Sequence, residues 1–385
     1  MRRLCWMMGM LLAGTLAGEA DEVVIRRFDK SGNLTFSGVT NGMGYRVEWT
    51  TNLAATYWSS NSPGISSIPP LGTGDLAVTV GVVHAACSYR VVALVTNSQP
   101  NPPAGMVLIP AGSFVMGATT NMGHEYNSGE IPQHTVYVSA FYLDRFEVTK
   151  SLWDSVAIWA TGNGYDIRTN SASGKQMDHP AQWVSWYEAV KWCNARSEQE
   201  VLTPCYTTNG VRYKTGENAE VLCDWTANGY RLPTEAEWEK AARGGVANHR
   251  FPWGDSDYIQ HARANYSSSS NDTYDTSPTR GYHPSFFTNA VPYTSPPGHF
   301  AANGYGLYDM AGNVNEWCWD RALADYYSIS PGIDPRGPST GTGTGRLARG
   351  GSWTQGASFS RVARRADYPP QFNVDYVGFR CARGP

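Results

Sequence analysis

Asp309 and Glu316 stand seven positions apart with Gly312-Asn313 between them, inside the run from Asn303 to Trp317. Two carboxylates flanking a turn that bends main-chain carbonyls inward can surround one hard cation, and calcium takes about six to eight oxygens at roughly 2.3–2.6 Å. The same pattern also describes a polar turn with surface acids. A second oxygen-rich stretch runs from Asn265 and Tyr266 through Asp272 and Asp275. Further along, Arg349-Gly350-Gly351-Ser352-Trp353 is followed by Arg361, Arg364 and Arg365. Guanidinium forks beside a flexible turn suit a ligand carboxylate or a peptide backbone, or else the packing of arginine stems on aromatic rings. The eight histidines are scattered without metal-ligand spacing. No Gly-x-Ser-x-Gly elbow, His-Glu-x-x-His pair, phosphate loop or dinucleotide fingerprint occurs, which removes support for hydrolase, zincin and nucleotide-enzyme chemistry.

The elements that must carry these residues are few. Thr234-x-x-Glu237 and Ser185-x-x-Glu188 are capping boxes, each followed by apolar residues at helical spacing: Trp238, Ala241 and Ala242, then Trp186, Ala189, Val190 and Cys193. A third helix is expected after Thr149, with Leu152, Val156 and Trp159 on one stripe. After Gly244 helical periodicity stops, and Gly, Pro, Ser, Asn and Tyr dominate, which predicts ordered loops and short strands. Residues 22–98 read instead as strands divided by turn clusters, with Val23–Ile25, Tyr45–Trp49, Leu76–Val80 and Tyr89–Leu94 as the runs. A small β-sandwich is expected there, joined by a polar, proline-rich linker over 99–104 to a second domain over 105–385.

Composition agrees with a loop-rich globular protein. In 385 residues there are 40 Gly and 23 Pro, charged residues are only 16%, and Trp 14, Tyr 22 and Phe 12 supply a large interior. A net charge of -3 without basic runs argues against nucleic-acid binding. Residues 1–20 place Arg2-Arg3 before an apolar run and then small residues, the layout of a cleaved secretory signal, which predicts export to a periplasmic, cell-surface or extracellular location. No other stretch is long and apolar enough to predict a transmembrane segment. Of seven cysteines Cys5 lies in that signal, and the remaining six would enter an oxidising compartment.

Ten segments in order carry a family resemblance. They are Gly105–Gly117, Pro132–Val136, Phe146–Thr149, His179-Pro180, Val184–Ala189, Tyr230–Glu239 (YRLPTEAEWE), Phe251–Gly254, Gly304–Val314 (GYGLYDMAGNV), Arg349–Trp353 (RGGSW) and Gly378–Cys381 (GFRC). Over about 104–384 the chain resembles the sulfatase-modifying factors, the formylglycine-generating-enzyme family. That resemblance implies an α+β, C-type-lectin-like, loop-rich fold preceded here by the small all-β domain. It also implies a calcium site formed by Asp309, the carbonyls of Gly312 and Val314, and Glu316. A second calcium site would begin with Asn265 and the Tyr266 carbonyl, its acid being Asp275 or Asp272. The family pattern pairs Cys193 with Cys381; Cys205 and Cys223 flank one insertion and make a second pair, leaving Cys87 and Cys318 unassigned. Another family disulfide is absent at both ends, where Ala242 and Arg365 stand.

One departure bears on activity. The family's oxidases bind copper(I) through two thiols shortly after the Gly-Gly-Ser turn, and those positions read Gln355 and Ser360 here, while the neighbouring serine is kept as Ser352. An amide and a hydroxyl are poor ligands for a soft d¹⁰ ion, so copper is not expected. The expected function is a calcium-stabilised module that binds a peptide, protein or glycan through Trp353, Arg361 and Arg364. A formylglycine-generating oxidase and a structural cell-surface component are the alternatives. Sulfoxide-forming relatives need iron-binding histidines in a separate domain, and residues 22–98 hold only His84.

Overall fold

The computed structural model describes residues 102–118, 127–218, 220–288, 290–339 and 345–385, together with the backbone of five strands within 24–94. The chain divides into two units, Met1–Asn101 and Pro102–Pro385, with the boundary inside the expected linker. The proposed signal segment lies outside the described residues.

The first unit holds β1 (Val24–Phe28), β2 (Asn33–Val39), β3 (Gly44–Thr50), β4 (Gly74–Thr79) and β5 (Ser88–Leu94). β2 runs antiparallel to β1 and β4, and β3 pairs with β5 in register from Gly44↔Leu94 to Thr50↔Ser88. All four strands expected from alternation are present, and β2 is an addition.

The second unit begins with β6 (Met106–Ile109), β7 (Gly112–Met116), β8 (His134–Val138) and β9 (Phe141–Asp144). Helix α1 (Lys150–Gly162) starts where the Thr149 hydroxyl accepts the Leu152 amide at 3.2 Å. Its buried face is Trp153, Val156, Ala157 and Ala160, while Leu152 and Trp159 are only partly covered, so the apolar stripe lies to one side of the expected one. Both expected capping boxes form, Ser185 with Glu188 for α2 (Trp186–Gln199) and Thr234 with Glu237 for α3 (Glu235–Arg243). Gly244 ends α3 with φ 59°, and a Cβ there would meet the Gly304 amide at 2.8 Å, so glycine is required twice over. The insertion after α2 folds as the small sheet of β10 (Tyr206–Thr208), β11 (Val211–Arg212) and β12 (Leu222–Cys223).

No α-helix follows Arg243 among the described residues. The last stretch supplies β13 (Asn315–Arg321), β14 (Arg346–Arg349), β15 (Ala366–Tyr368), β16 (Val377–Gly378) and β17 (Ala382–Arg383). A four-stranded sheet in the order β15-β14-β13-β16 holds one parallel pair, β13 with β16, and β17 returns to pair with β9 beside β6. Five tryptophans, Trp153, Trp186, Trp192, Trp238 and Trp317, are wholly buried. Each satisfies its indole N–H, as when Trp186 donates to the Cys318 carbonyl at 2.9 Å and Trp317 to that of Val184 at 2.8 Å. These bonds tie α2 to β13, the strand that carries the central site. Among the described residues no helix is long and apolar enough to cross a membrane.

Candidate functional site

The site is built where β14 ends. Gly350 and Gly351 take φ 96° and 73°, and a Cβ on Gly351 would strike the Phe359 carbonyl at 2.7 Å, so the chain folds back tightly on itself. Ser352 follows, buried, and its hydroxyl donates to the Gln355 side-chain oxygen at 3.1 Å. Asn315, the first residue of β13, donates to the same oxygen at 2.7 Å. The Gln355 amide nitrogen donates to the Tyr368 hydroxyl at 3.3 Å, and its main-chain carbonyl accepts Ser267 N–H at 2.9 Å. Gln355 is therefore the hub of a network joining β13, β15 and the 265–275 loop. Ser360 is wholly buried, and its hydroxyl has no partner among the described residues.

Aromatic rings border this network on both sides. Trp353 meets Tyr293 edge-on at 5.2 Å and Tyr282 at 5.6 Å, and Tyr282 stacks on Phe287 at 5.5 Å. Tyr282 and Phe287 are 37% and 55% exposed, which makes their faces available to a ligand. Beyond Gln355, Tyr368 stacks on Phe372 at 4.9 Å with Tyr376 close to both.

The arginines expected to reach a ligand both face a buried carboxylate. Arg361 is buried and grips Glu130 with both guanidinium nitrogens, at 2.7 and 3.0 Å. Arg364 lies 3.6 Å from the same carboxylate. Trp353 is only 3% exposed, its indole N–H donating to the Asp375 carbonyl at 3.0 Å. Arg361 and Trp353 buttress the site from behind, Arg361 because Glu130, buried and 231 positions away, needs a cation, whereas Arg364 keeps a fifth of its side chain exposed. A parallel network lines α3. Arg349 pairs with Glu239 at 2.5 Å, and Arg365, at one of the lost disulfide positions, pairs with Glu235 at 2.7 Å.

The expected calcium ligands are brought together in part. Asp309 is buried; its Oδ2 accepts Gly298 N–H at 2.6 Å, and its Oδ1 has no partner among the described residues. Glu316 is bound by Arg380 at 2.6 Å on each oxygen, and its Oε2 also accepts the Trp238 indole at 2.8 Å. Glu147 stands close by and accepts from Asn313 at 2.6 Å. Burial, reinforced by Asp309 and Glu316, raises the Glu147 carboxyl well above its ordinary range, and burial pushes Asp309 up to about 6. Three acids facing one guanidinium leave negative charge in excess, and the orphaned Asp309 oxygen is a hard donor. These features fit a calcium ion on Asp309 and the carbonyls of Gly312 and Val314; Glu316, with both oxygens filled by Arg380 and Trp238, would join only by giving up one of those partners. Among the described residues no three His, Cys, Asp or Glu converge as a metal cage, so main-chain oxygens would have to complete the set.

The second set is brought together only in part: Asn265 Oδ1 is buried with no partner among the described residues, but the acid is occupied. Asp275, one of its two candidate acids, is saturated: Tyr266 OH, Ser268 OH and Ser277 N–H reach Oδ1 at 2.7, 3.0 and 3.1 Å, and Ser269 N–H reaches Oδ2 at 2.8 Å. The Tyr266 carbonyl faces His261 Nε2 at 3.1 Å, and the Asn265 carbonyl accepts Asn313 N–H at 2.8 Å. Asn265 and Tyr266 thus brace the loop against the first set, and Asp272 accepts Ser358 N–H at 3.2 Å beside Gln355.

Both cysteine pairs are juxtaposed, with all four sulfurs present as thiols. Cys193 and Cys381 Sγ lie 3.7 Å apart, and Cys205, just before β10, shares a hydrogen bond with Cys223 of β12. Sequence reasoning missed Asn315, Tyr368, Glu130, Glu147 and Arg380 as partners. Glu147 and Arg380 stand inside the Phe146–Thr149 and Gly378–Cys381 segments, so their positions were visible although their pairing was not.

Comparison with known proteins accounts for this arrangement. The model of the sulfatase-modifying factor enzyme 1-like domain matches residues 92–385. The formylglycine-generating enzyme of Thermomonospora curvata is 36% identical over 302 residues, covering 73% of this chain and 94% of that protein. That of Streptomyces coelicolor is 31% identical, covering 74% and 91%. Among solved structures, Treponema denticola variable protein 1 is 30% identical with a TM-score of 0.55, covering 73% of this chain and 95% of that one.

Proposed function

Because the chain belongs to the sulfatase-modifying factor enzyme 1-like family, we propose that it uses the family's central site to bind a peptide and not to oxidise a cysteine. The observation that carries this reading is the state of Gln355. Where copper(I) chemistry needs a thiolate, the chain presents a carboxamide whose oxygen already accepts from Asn315 and Ser352. At the second position Ser360 offers only a buried hydroxyl. With its oxygen filled, this fixed carboxamide keeps one Nε2 N–H to donate to a peptide carbonyl, while apolar or planar side chains rest on the rings at either side. The other described cysteines cannot substitute: Cys318 is single and buried, its thiol raised well above its usual range by that burial.

The proposal includes one calcium ion at Asp309 and the carbonyls of Gly312 and Val314, acting as a structural clamp on the loop before β13. It also includes export through residues 1–20 and closure of the Cys193–Cys381 and Cys205–Cys223 pairs in the oxidising compartment. The oxidase remains a second reading because the relatives at 31% and 36% identity bear that enzyme's name.

Selection of a random peptide display library on the purified full chain tests the binding reading. Enrichment of a peptide class that Gln355→Leu and Tyr368→Ala each weaken at least about tenfold would support it. Absence of enrichment, or enrichment indifferent to both variants, would reject it.

A further inference from the structure

Four segments meet just past Ser360: the end of β7 at Gly117-Ala118, the last residue of α3 at Arg243, His249-Arg250, and Arg361 with Ala363. They line a cavity of about 10 Å³, room for one water-sized species. Its walls carry guanidinium donors that are only partly used. Arg243 donates from Nε and Nη2 to Glu239 at 3.1 and 2.7 Å, and from Nη2 to the Gly117 carbonyl at 2.9 Å, leaving Nη1 without a partner among the described residues. Arg250 reaches Asp257 Oδ2 through Nη1 only at 3.5 Å, and its buried Nε has no partner among them. His249 Nδ1 is buried there without a hydrogen bond, 3.6 Å from Asp257 Oδ1.

The acids around the cavity do not match these cations. Among the described residues its lining holds three arginines and no carboxylate. Glu239 is shared between Arg243 and Arg349, and Glu130 between Arg361 and Arg364. Asp257 gives Oδ1 to the Arg250 amide at 2.7 Å. A buried donor without an acceptor is costly, and a buried cation short of counter-charge is more so. The covalent tie expected of the family is also missing here, since Ala242 precedes Arg243 and Arg365 follows Arg364.

We propose that this cavity is a binding site for a monatomic anion of the chloride class, held by Arg243 and Arg250, which clamps the end of α3 to the segment 361–363. A water molecule would satisfy the free N–H groups and leave the charge uncompensated. Carboxylates and phosphates are too large for the space, whereas a halide is close to water in size and accepts charge-assisted hydrogen bonds from any direction. The inference is independent of the peptide-binding reading.

Bromide tests it, because it replaces chloride and scatters X-rays anomalously. Crystals of the full-length protein grown in sodium bromide should show an anomalous peak between Arg243 and Arg250. In solution, chloride exchanged for gluconate at constant ionic strength should raise Tm saturably, since screening is then equal and only a bound ion can act. Arg250→Gln should raise the half-saturating chloride concentration at least about tenfold. Should that variant fail to fold, the peak and the saturable rise in the unaltered protein decide. A peak without a chloride-specific rise in Tm means an adventitious ion only and overturns the proposal. So does a cavity without an anomalous peak, or a half-saturating concentration that Arg250→Gln leaves unchanged.

Discussion

Gln355 and Arg361 show how differently two residues of one loop can be read. That Gln355 replaces a thiol was legible in the sequence, because the Gly-Gly-Ser turn marks its position. That its amide is locked by Asn315 and Tyr368 was not, since those partners lie on other strands. Arg361 was expected to face a ligand because an arginine cluster near glycines leaves its direction open. The structure turns it inward onto Glu130, whose distance in sequence hides the pair. Arg361→Ala should therefore destabilise the protein by about 3–5 kcal/mol in denaturant unfolding, because it strands a buried carboxylate. A loss of only a few tenths of a kcal/mol would return Arg361 to the surface role.

The helices were the most legible elements, since capping boxes and apolar spacing are local signals, and Ser185 and Thr234 cap where they should. The sheet order β15-β14-β13-β16 was not legible, because its pairings join segments tens of residues apart and depend on side chains that α2 and α3 press against β13. One such contact gives a pH prediction. Asp320 of β13 is buried and accepts Glu235 N–H at 2.8 Å at the start of α3; burial, with Glu235 adding to it, pushes its carboxyl up to about 8. In the unfolded chain that group ionises near pH ~4. Between these values the fold holds more protons than the unfolded chain, so this contribution is intact at low pH and is lost as pH rises toward 8. Thermal melts from pH 5 to 9 should show a fall in Tm that Asp320→Asn flattens; an equal slope in both proteins would mean that Asp320 is ionised in the fold. Pairing of Cys193 with Cys381 would bind α2 to the strand after β16 and stabilise by up to about 5 kcal/mol. Reductant should then lower the Tm of the exported protein, and mass spectrometry should recover the linked peptide; free thiols at both positions would contradict the pairing.

Over the whole molecule, the loop-rich α+β domain and its boundary near residue 102 were readable from composition and motif order, whereas which acids keep a free oxygen and which are hydrogen-bonded throughout was not. Asp309 keeps an unsatisfied oxygen while Asp275 keeps none, although the sequence presents both as acids in polar loops. A calcium ion bound only by the fold stabilises it by mass action. Chelation should lower Tm in the parent protein and leave Asp309→Ala nearly unmoved, and an unchanged parent Tm with no calcium by elemental analysis would remove the ion from the account. The central claim is that this site no longer supports copper oxidase chemistry. Its most direct measurement is the mass of a Cys-x-Pro-x-Arg peptide after incubation with the purified protein, copper(I) and oxygen. The account predicts that the peptide keeps its thiol and no aldehyde forms; robust conversion of the cysteine to formylglycine by the unaltered protein would contradict it.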